Sequence, residues 1–134
     1  STDANALATS GKFSNNGIDD IEDPLLYSDF GFGGHTGKLS DYGKFKIPSL
    51  RNIALTAPYM HDGRFKTLRD VIDFYSNGIN RTANLDSKMT HMSTRGVQLS
   101  EYDKKCLEAF LKTLTDSVFI SNIEHSNPFT TSAP

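Results

Sequence analysis

Apolar residues recur at helical spacing in two places along the chain. Leu68, Val71, Ile72 and Tyr75 fall at i, i+3, i+4 and i+7, one face of an amphipathic helix. Thr67 with Asp70 three residues later is a capping pattern that starts it, and Asn77 with Gly78 ends it. Leu107, Phe110, Leu111 and Leu114 repeat the spacing behind the cap pair Ser100 and Asp103. This predicts a second helix over residues 101–114, with those four side chains on one apolar face. In residues 43–55 apolar and polar positions alternate until Pro48, which suits a first helical position, so a short third helix is expected to start there.

The remainder shows little period. Residues 1–12 are small and polar, and residues 13–18 are turn-rich with Phe13 and Ile18 as apolar anchors. Residues 19–24 read as a solvated acidic loop, and residues 31–37 are too glycine-rich for a stable strand or helix. Pro58 and Gly63 bound a loop, residues 78–98 follow neither period, and Val118, Phe119 and Ile120 interrupt an otherwise polar tail. Two firm helices must therefore organise long loops. Helical stripes of four residues are too small for a complete core, and buried loop backbone needs hydrogen-bond partners. The loops are expected to wrap something the chain does not encode, either a prosthetic group or another domain.

Composition narrows the picture. The chain has 134 residues, the length of one domain, with 14 Lys and Arg against 16 Asp and Glu. That near balance argues against a basic nucleic-acid surface. No apolar run approaches the roughly 18 residues of a membrane-spanning helix. Cys106 is the one cysteine, so the chain carries no internal disulfide, no C-x-x-C pair and no cysteine-rich zinc site.

Candidate chemistry is sparse by pattern alone. Gly31 and Gly33 do not complete a dinucleotide fingerprint, because Thr36 stands where glycine or alanine is required and no helical pattern follows. His35, His61, His91 and His125 lack zinc spacing, and His61 stands out only because Asp62 beside it would hold one imidazole tautomer. Cys106 reads as a half-buried thiol beside an apolar helix face. Met60, Met89 and Met92 are soft ligands in principle and core filler in practice. Tyr75 reads two ways, as a core tyrosine whose hydroxyl finds a partner or as a phenolate aimed at a cofactor.

One long block resembles a known family. Gly43-Lys-Phe-Lys-Ile-Pro-Ser-Leu-Arg-Asn-Ile-Ala-Leu-Thr-Ala-Pro-Tyr-Met-His-Asp-Gly63, followed by Thr67-Leu-Arg-Asp-Val-Ile-Asp-Phe-Tyr75, resembles the C-terminal haem domain of bacterial di-haem cytochrome c peroxidases, especially the MauG branch. Leu99-Ser-Glu-Tyr-Asp103 with Ala109-Phe-Leu-Lys-Thr-Leu-Thr-Asp116 resembles the last helix of that family, and Phe13-Ser-Asn-Asn-Gly-Ile18 its segment after haem attachment.

The resemblance implies a mainly α, cytochrome c-like helical domain with long loops over residues 1–116, incomplete, followed by a tail over residues 117–134. It implies an extracytoplasmic, periplasmic enzyme that reduces hydrogen peroxide, passing electrons through haem c to a second, peroxidatic haem in an N-terminal domain. Its partners would be that domain and a small electron-donor protein or a protein substrate, with homodimerisation common in the family. Tyr75 matches the axial iron ligand, where a hard oxygen donor favours ferric iron. Thr56 and Pro58 match backbone-carbonyl ligands of calcium. Arg51 and His61 match positions at the haem edge, where Arg51 would pair with a propionate. The C-x-x-C-H motif that tethers haem c is absent, so the chain reads as a fragment lying just downstream of it, inactive by itself and with residues 1–40 loosely packed or domain-swapped. The rival reading is a haem-free partner-binding module of an extracytoplasmic protein.

Overall fold

The chain was described from a computed structural model, which covers residues 13–82, 84–90 and 95–126. Strand β1 (Phe13–Ser14) pairs antiparallel with β2 (Phe45–Lys46), Phe13 opposite Lys46 and Ser14 opposite Phe45. Two residues per strand hold little by themselves. The ribbon is secured by Phe13 stacked on Phe32, ring centroids 4.1 Å apart, and by a bridge between Gly31 and Lys44.

Residues 13–40 are therefore docked on the body of the domain, contrary to the loose packing expected for them; the expectation for residues 1–12 lies outside the described residues. The glycine-rich segment also departs from expectation by forming a single helical turn, α1 (Gly33–Thr36). Gly33 lies against the Tyr42 backbone and ring where a Cβ would collide, and Gly37, at φ 66°, closes the turn by donating its N–H to the Gly33 carbonyl.

Both long-period helices form as the spacing predicts. Helix α2 (Leu68–Asp73) starts at a capping box between Thr67 and Asp70, and α4 (Glu101–Thr113) at one between Ser100 and Asp103. Between them lies the short α3 (Ser87–Thr90), and α5 (Ser117–Ser121) follows, capped by the Asp116 carboxylate on the Phe119 N–H. No helix starts at Pro48; one 3₁₀ turn forms instead at Ile53–Leu55. Long-range bonds override the proline signal, because Asn52 takes a left-handed φ of 58° and ties the turn to the end of α4. Its N–H donates to the Leu114 carbonyl at 2.9 Å, and its side-chain oxygen accepts from the Asp116 N–H at 2.6 Å.

The core sits where α2 crosses α4. Tyr59, Leu68, Ile72 and Leu111 are buried there, with Ile53, Phe65, Val71, Leu99 and Leu114 packed around them. Each buried Leu or Ile contributes about 1.5–3 kcal/mol relative to exposure. The stripe on α4 is only half used. Leu111 and Leu114 pack, whereas Leu107 is 37% and Phe110 55% exposed. An ion cluster adds to the crossing. The Lys104 ammonium lies 2.7 Å from the Asp73 carboxylate and 3.2 Å from Glu101, and Arg69 joins the same two acids. Lys104, with help from Arg69, holds the Asp73 carboxyl below its ordinary range.

Candidate functional site

Helix α2 does not end as an ordinary helix. Its last turn widens into one π-turn, Phe74–Gly78, and Tyr75 lies within it. Such turns are rare and frequent at functional sites. Widening disturbs the regular backbone ladder, and a strap over residues 95–99 takes up the bonds. The Ile79 N–H donates to the Arg95 carbonyl, the Val97 N–H to the Tyr75 carbonyl, and the Gln98 N–H and side-chain amide to the Ser76 carbonyl. The Leu99 N–H donates to the Ser76 hydroxyl at 3.0 Å, and Ser76 is wholly inaccessible to solvent. Gly96 makes the approach feasible, since a Cβ there would collide with the Ser76 and Tyr75 carbonyl oxygens.

Tyr75 itself is half-buried, its ring edge-on to Phe74 at 5.1 Å. Its phenol oxygen accepts a hydrogen bond from the Asn16 amide at 2.7 Å. Burial pushes the phenol above its ordinary range.

Residues 13–19 contact Tyr75 through Asn16 and, through Ser14, the strand whose Phe45 supports His61. Ser14 pairs with Phe45, and the His61 imidazole stacks on the Phe45 ring with centroids 3.7 Å apart. Asp62 does not hold the His61 ring as its position predicts. Its carboxylate goes instead to Arg64, accepting from Nε at 2.6 Å and from the backbone N–H at 3.2 Å. Burial works to raise the Asp62 carboxyl, but these bonds prevail and hold it below its ordinary range. A guanidinium two residues away, able to reach Ile18 and Asp19 as well, outcompetes an imidazole for the same acid.

Arg51, Thr56 and Pro58 stand elsewhere. All three are exposed on the turns around Ile53–Leu55 that dock against the end of α4, and among the described residues no hydrogen bond or ring contact joins them to Tyr75 or His61. Cys106 is exposed on α4 rather than half-buried. His91 and Met92 lie outside the described residues. Among the described residues no group of three or more His, Cys, Asp and Glu side chains could hold a metal ion.

These features test the fit of a haem. A tyrosine oxygen held on a π-turn and an uncovered apolar stripe on α4 would suit a porphyrin. One exposed cysteine does not suit its covalent tether, so the thioether bonds of a haem c would have to come from outside these 134 residues. Pattern analysis missed Asn16, Gly96 and Gln98, because single residues that act through one hydrogen bond or one close contact leave no period to detect.

The fold is mostly helical, with few strands, and is cytochrome c-like. No family model matches the chain. A crystal structure of a MauG-like protein associated with microbial copper homeostasis superposes with a TM-score of 0.75 and 40% identity, over 87% of this chain and 38% of that one. The cytochrome-c peroxidase IdrP1 of Pseudomonas sp. (strain SCT) is 36% identical over 89 residues, 66% of this chain and 22% of its own length. The methylamine utilization protein MauG of Paracoccus denitrificans is 35% identical over 102 residues, 63% of this chain and 26% of its own. The chain is thus related to the bacterial cytochrome c peroxidases and MauG proteins, and it spans about a quarter or less of the length of these curated relatives.

Proposed function

We propose that the chain forms part of the C-terminal haem domain of a di-haem cytochrome c peroxidase-type oxidoreductase, with Tyr75 as an axial ligand to iron. The observation that carries this reading is a half-buried tyrosine locked on a π-turn, its oxygen at a defined point beside residues 13–19. Haem c, when bound, supplies a one-electron iron couple, and a tyrosine oxygen biases that couple toward the ferric state. Tyr75 would hold the iron, the exposed Arg51 guanidinium would pair with a propionate, and His61 would line the haem edge on its Phe45 support. Leu107 and Phe110 would supply apolar contact that the domain leaves uncovered. Calcium at the Thr56 and Pro58 carbonyls belongs to the same reading. Two carbonyls provide only part of the roughly six to eight oxygen ligands that calcium takes, so other segments would complete the site.

The overall reaction is hydrogen peroxide with two electrons and two protons giving two waters. The electrons would come singly from a small donor protein in the periplasm and pass on to a peroxidatic haem in an N-terminal domain; oxidation of a protein substrate, which the sequence resemblance implies, is the variant of this scheme. The test is peroxide-dependent oxidation of a reduced small cytochrome by the full-length protein. Turnover within the usual enzymatic range of roughly 1–1000 per second is expected. A haem-loaded protein that shows no peroxide-dependent oxidation of any donor would reject the peroxidase assignment.

A further inference from the structure

We propose that Asn16 is a positioning residue for Tyr75: its amide N–H fixes the phenol oxygen and stabilises negative charge on that oxygen when it binds ferric iron. The inference rests on the axial-ligand reading above and assigns the oxygen's protein partner within it. The 2.7 Å contact comes from a side chain with little freedom to leave, because its backbone is pinned on both sides. On one side Asn15, 3% exposed, donates its amide to the Tyr27 hydroxyl and accepts the Gly17 N–H, while its carbonyl takes the Asp86 N–H. On the other, the Gly17 carbonyl accepts the Asn80 N–H, and the Ile18 carbonyl accepts from both Arg64 and the Asn80 amide. Gly17 sits at φ 68°, against Asn80 and Leu85 with no space for a Cβ, so this loop has one available path. Among the described residues no acceptor receives the Tyr75 hydroxyl proton. The phenol oxygen is therefore held by a donor while its proton has no partner among the described residues, an arrangement that suits an oxygen giving up its proton to a cation.

A donor on a ligating phenolate draws charge off the oxygen and offsets its preference for ferric iron. Removing the donor should therefore lower the midpoint potential. The experiment compares the haem-loaded full-length protein with its Asn16→Leu, Asn16→Asp and Tyr75→Phe variants and the Asn16→Leu/Tyr75→Phe double variant, by redox titration and visible spectroscopy. Asn16→Asp keeps the shape of the side chain, so it serves if the leucine variant fails to fold, with an Asn16→Asp/Tyr75→Phe double variant subtracting the effect of its added charge. The expected result is a roughly tenfold shift of the ferric–ferrous equilibrium toward ferric iron in both Asn16 variants, about 59 mV for a one-electron couple, and no such shift on adding Asn16→Leu to Tyr75→Phe. Unchanged potentials in both Asn16 variants, or an equal shift without the tyrosine oxygen, would overturn the role of Asn16 alone. An unchanged spectrum in Tyr75→Phe would instead remove the axial-ligand reading, and this proposal with it.

Discussion

Replacing Tyr75 with phenylalanine in the haem-loaded protein is expected to abolish the low-spin spectrum of the haem in this domain and to raise its midpoint potential. The substitution removes one oxygen and leaves the ring, so the edge contact with Phe74 and the path of the π-turn should persist. The lost Asn16 hydrogen bond costs the fold only about 1 kcal/mol. If Tyr75 is the axial ligand, the iron would in contrast lose a hard donor. Axial ligands set haem potentials over roughly 0.8 V, and exchange of an anionic oxygen for no protein ligand should move this one by on the order of 0.1 V or more. Visible and magnetic-resonance spectra of the ferric protein, with a redox titration, measure both effects. A spectrum identical to that of the unsubstituted protein would show that Tyr75 does not touch the iron.

The second large effect is expected at a residue with no side chain. Gly96 lies against the carbonyl oxygens of Tyr75 and Ser76, so Gly96→Ala forces the strap over residues 95–99 away from the π-turn. Overpacking against fixed backbone costs about 2–3 kcal/mol, roughly 10 °C in melting temperature for a domain of this size. The hydrogen bonds from Val97, Gln98 and Leu99 to Tyr75 and Ser76 would be the ones strained. Thermal unfolding checks the magnitude, and hydrogen exchange at the Val97 and Gln98 amides checks the place. Exchange that speeds up evenly through α4 and the strap would contradict a local origin.

These two residues also mark how far the sequence could be read. The helices α2 and α4 were legible because four apolar positions and a capping pair each report the same element, and both capping boxes form. Tyr75 was legible as a residue on the apolar face of α2, and its proposed reading as an iron ligand rests on the resemblance. Its setting was not legible. A π-turn adds one residue to a helical turn, and no apolar period announces it, since Ser76 is buried for its hydrogen bonds rather than for apolarity. The helix expected at Pro48 failed for a similar reason: local propensity pointed one way, and two bonds from Asn52 to the end of α4, more than 60 residues away in sequence, pointed another. The half-covered stripe on α4 is instructive. Leu107 and Phe110 carry the pattern of a core without being in one, and a sequence shaped to enclose a large apolar group would look the same as one that packs against itself.

That distinction separates the two readings of the domain. A haem-free binding module would leave Leu107 and Phe110 for a protein partner and would need no iron ligand at Tyr75. The measurement that separates them most directly is the haem content of the protein expressed from its full reading frame in a host that matures c-type cytochromes. The expected product is a coloured protein with an intense Soret band, its haem retained after denaturation and organic extraction, and two thioether-bonded cysteines lying outside this 134-residue sequence. A colourless product from a frame with no C-x-x-C-H would contradict it.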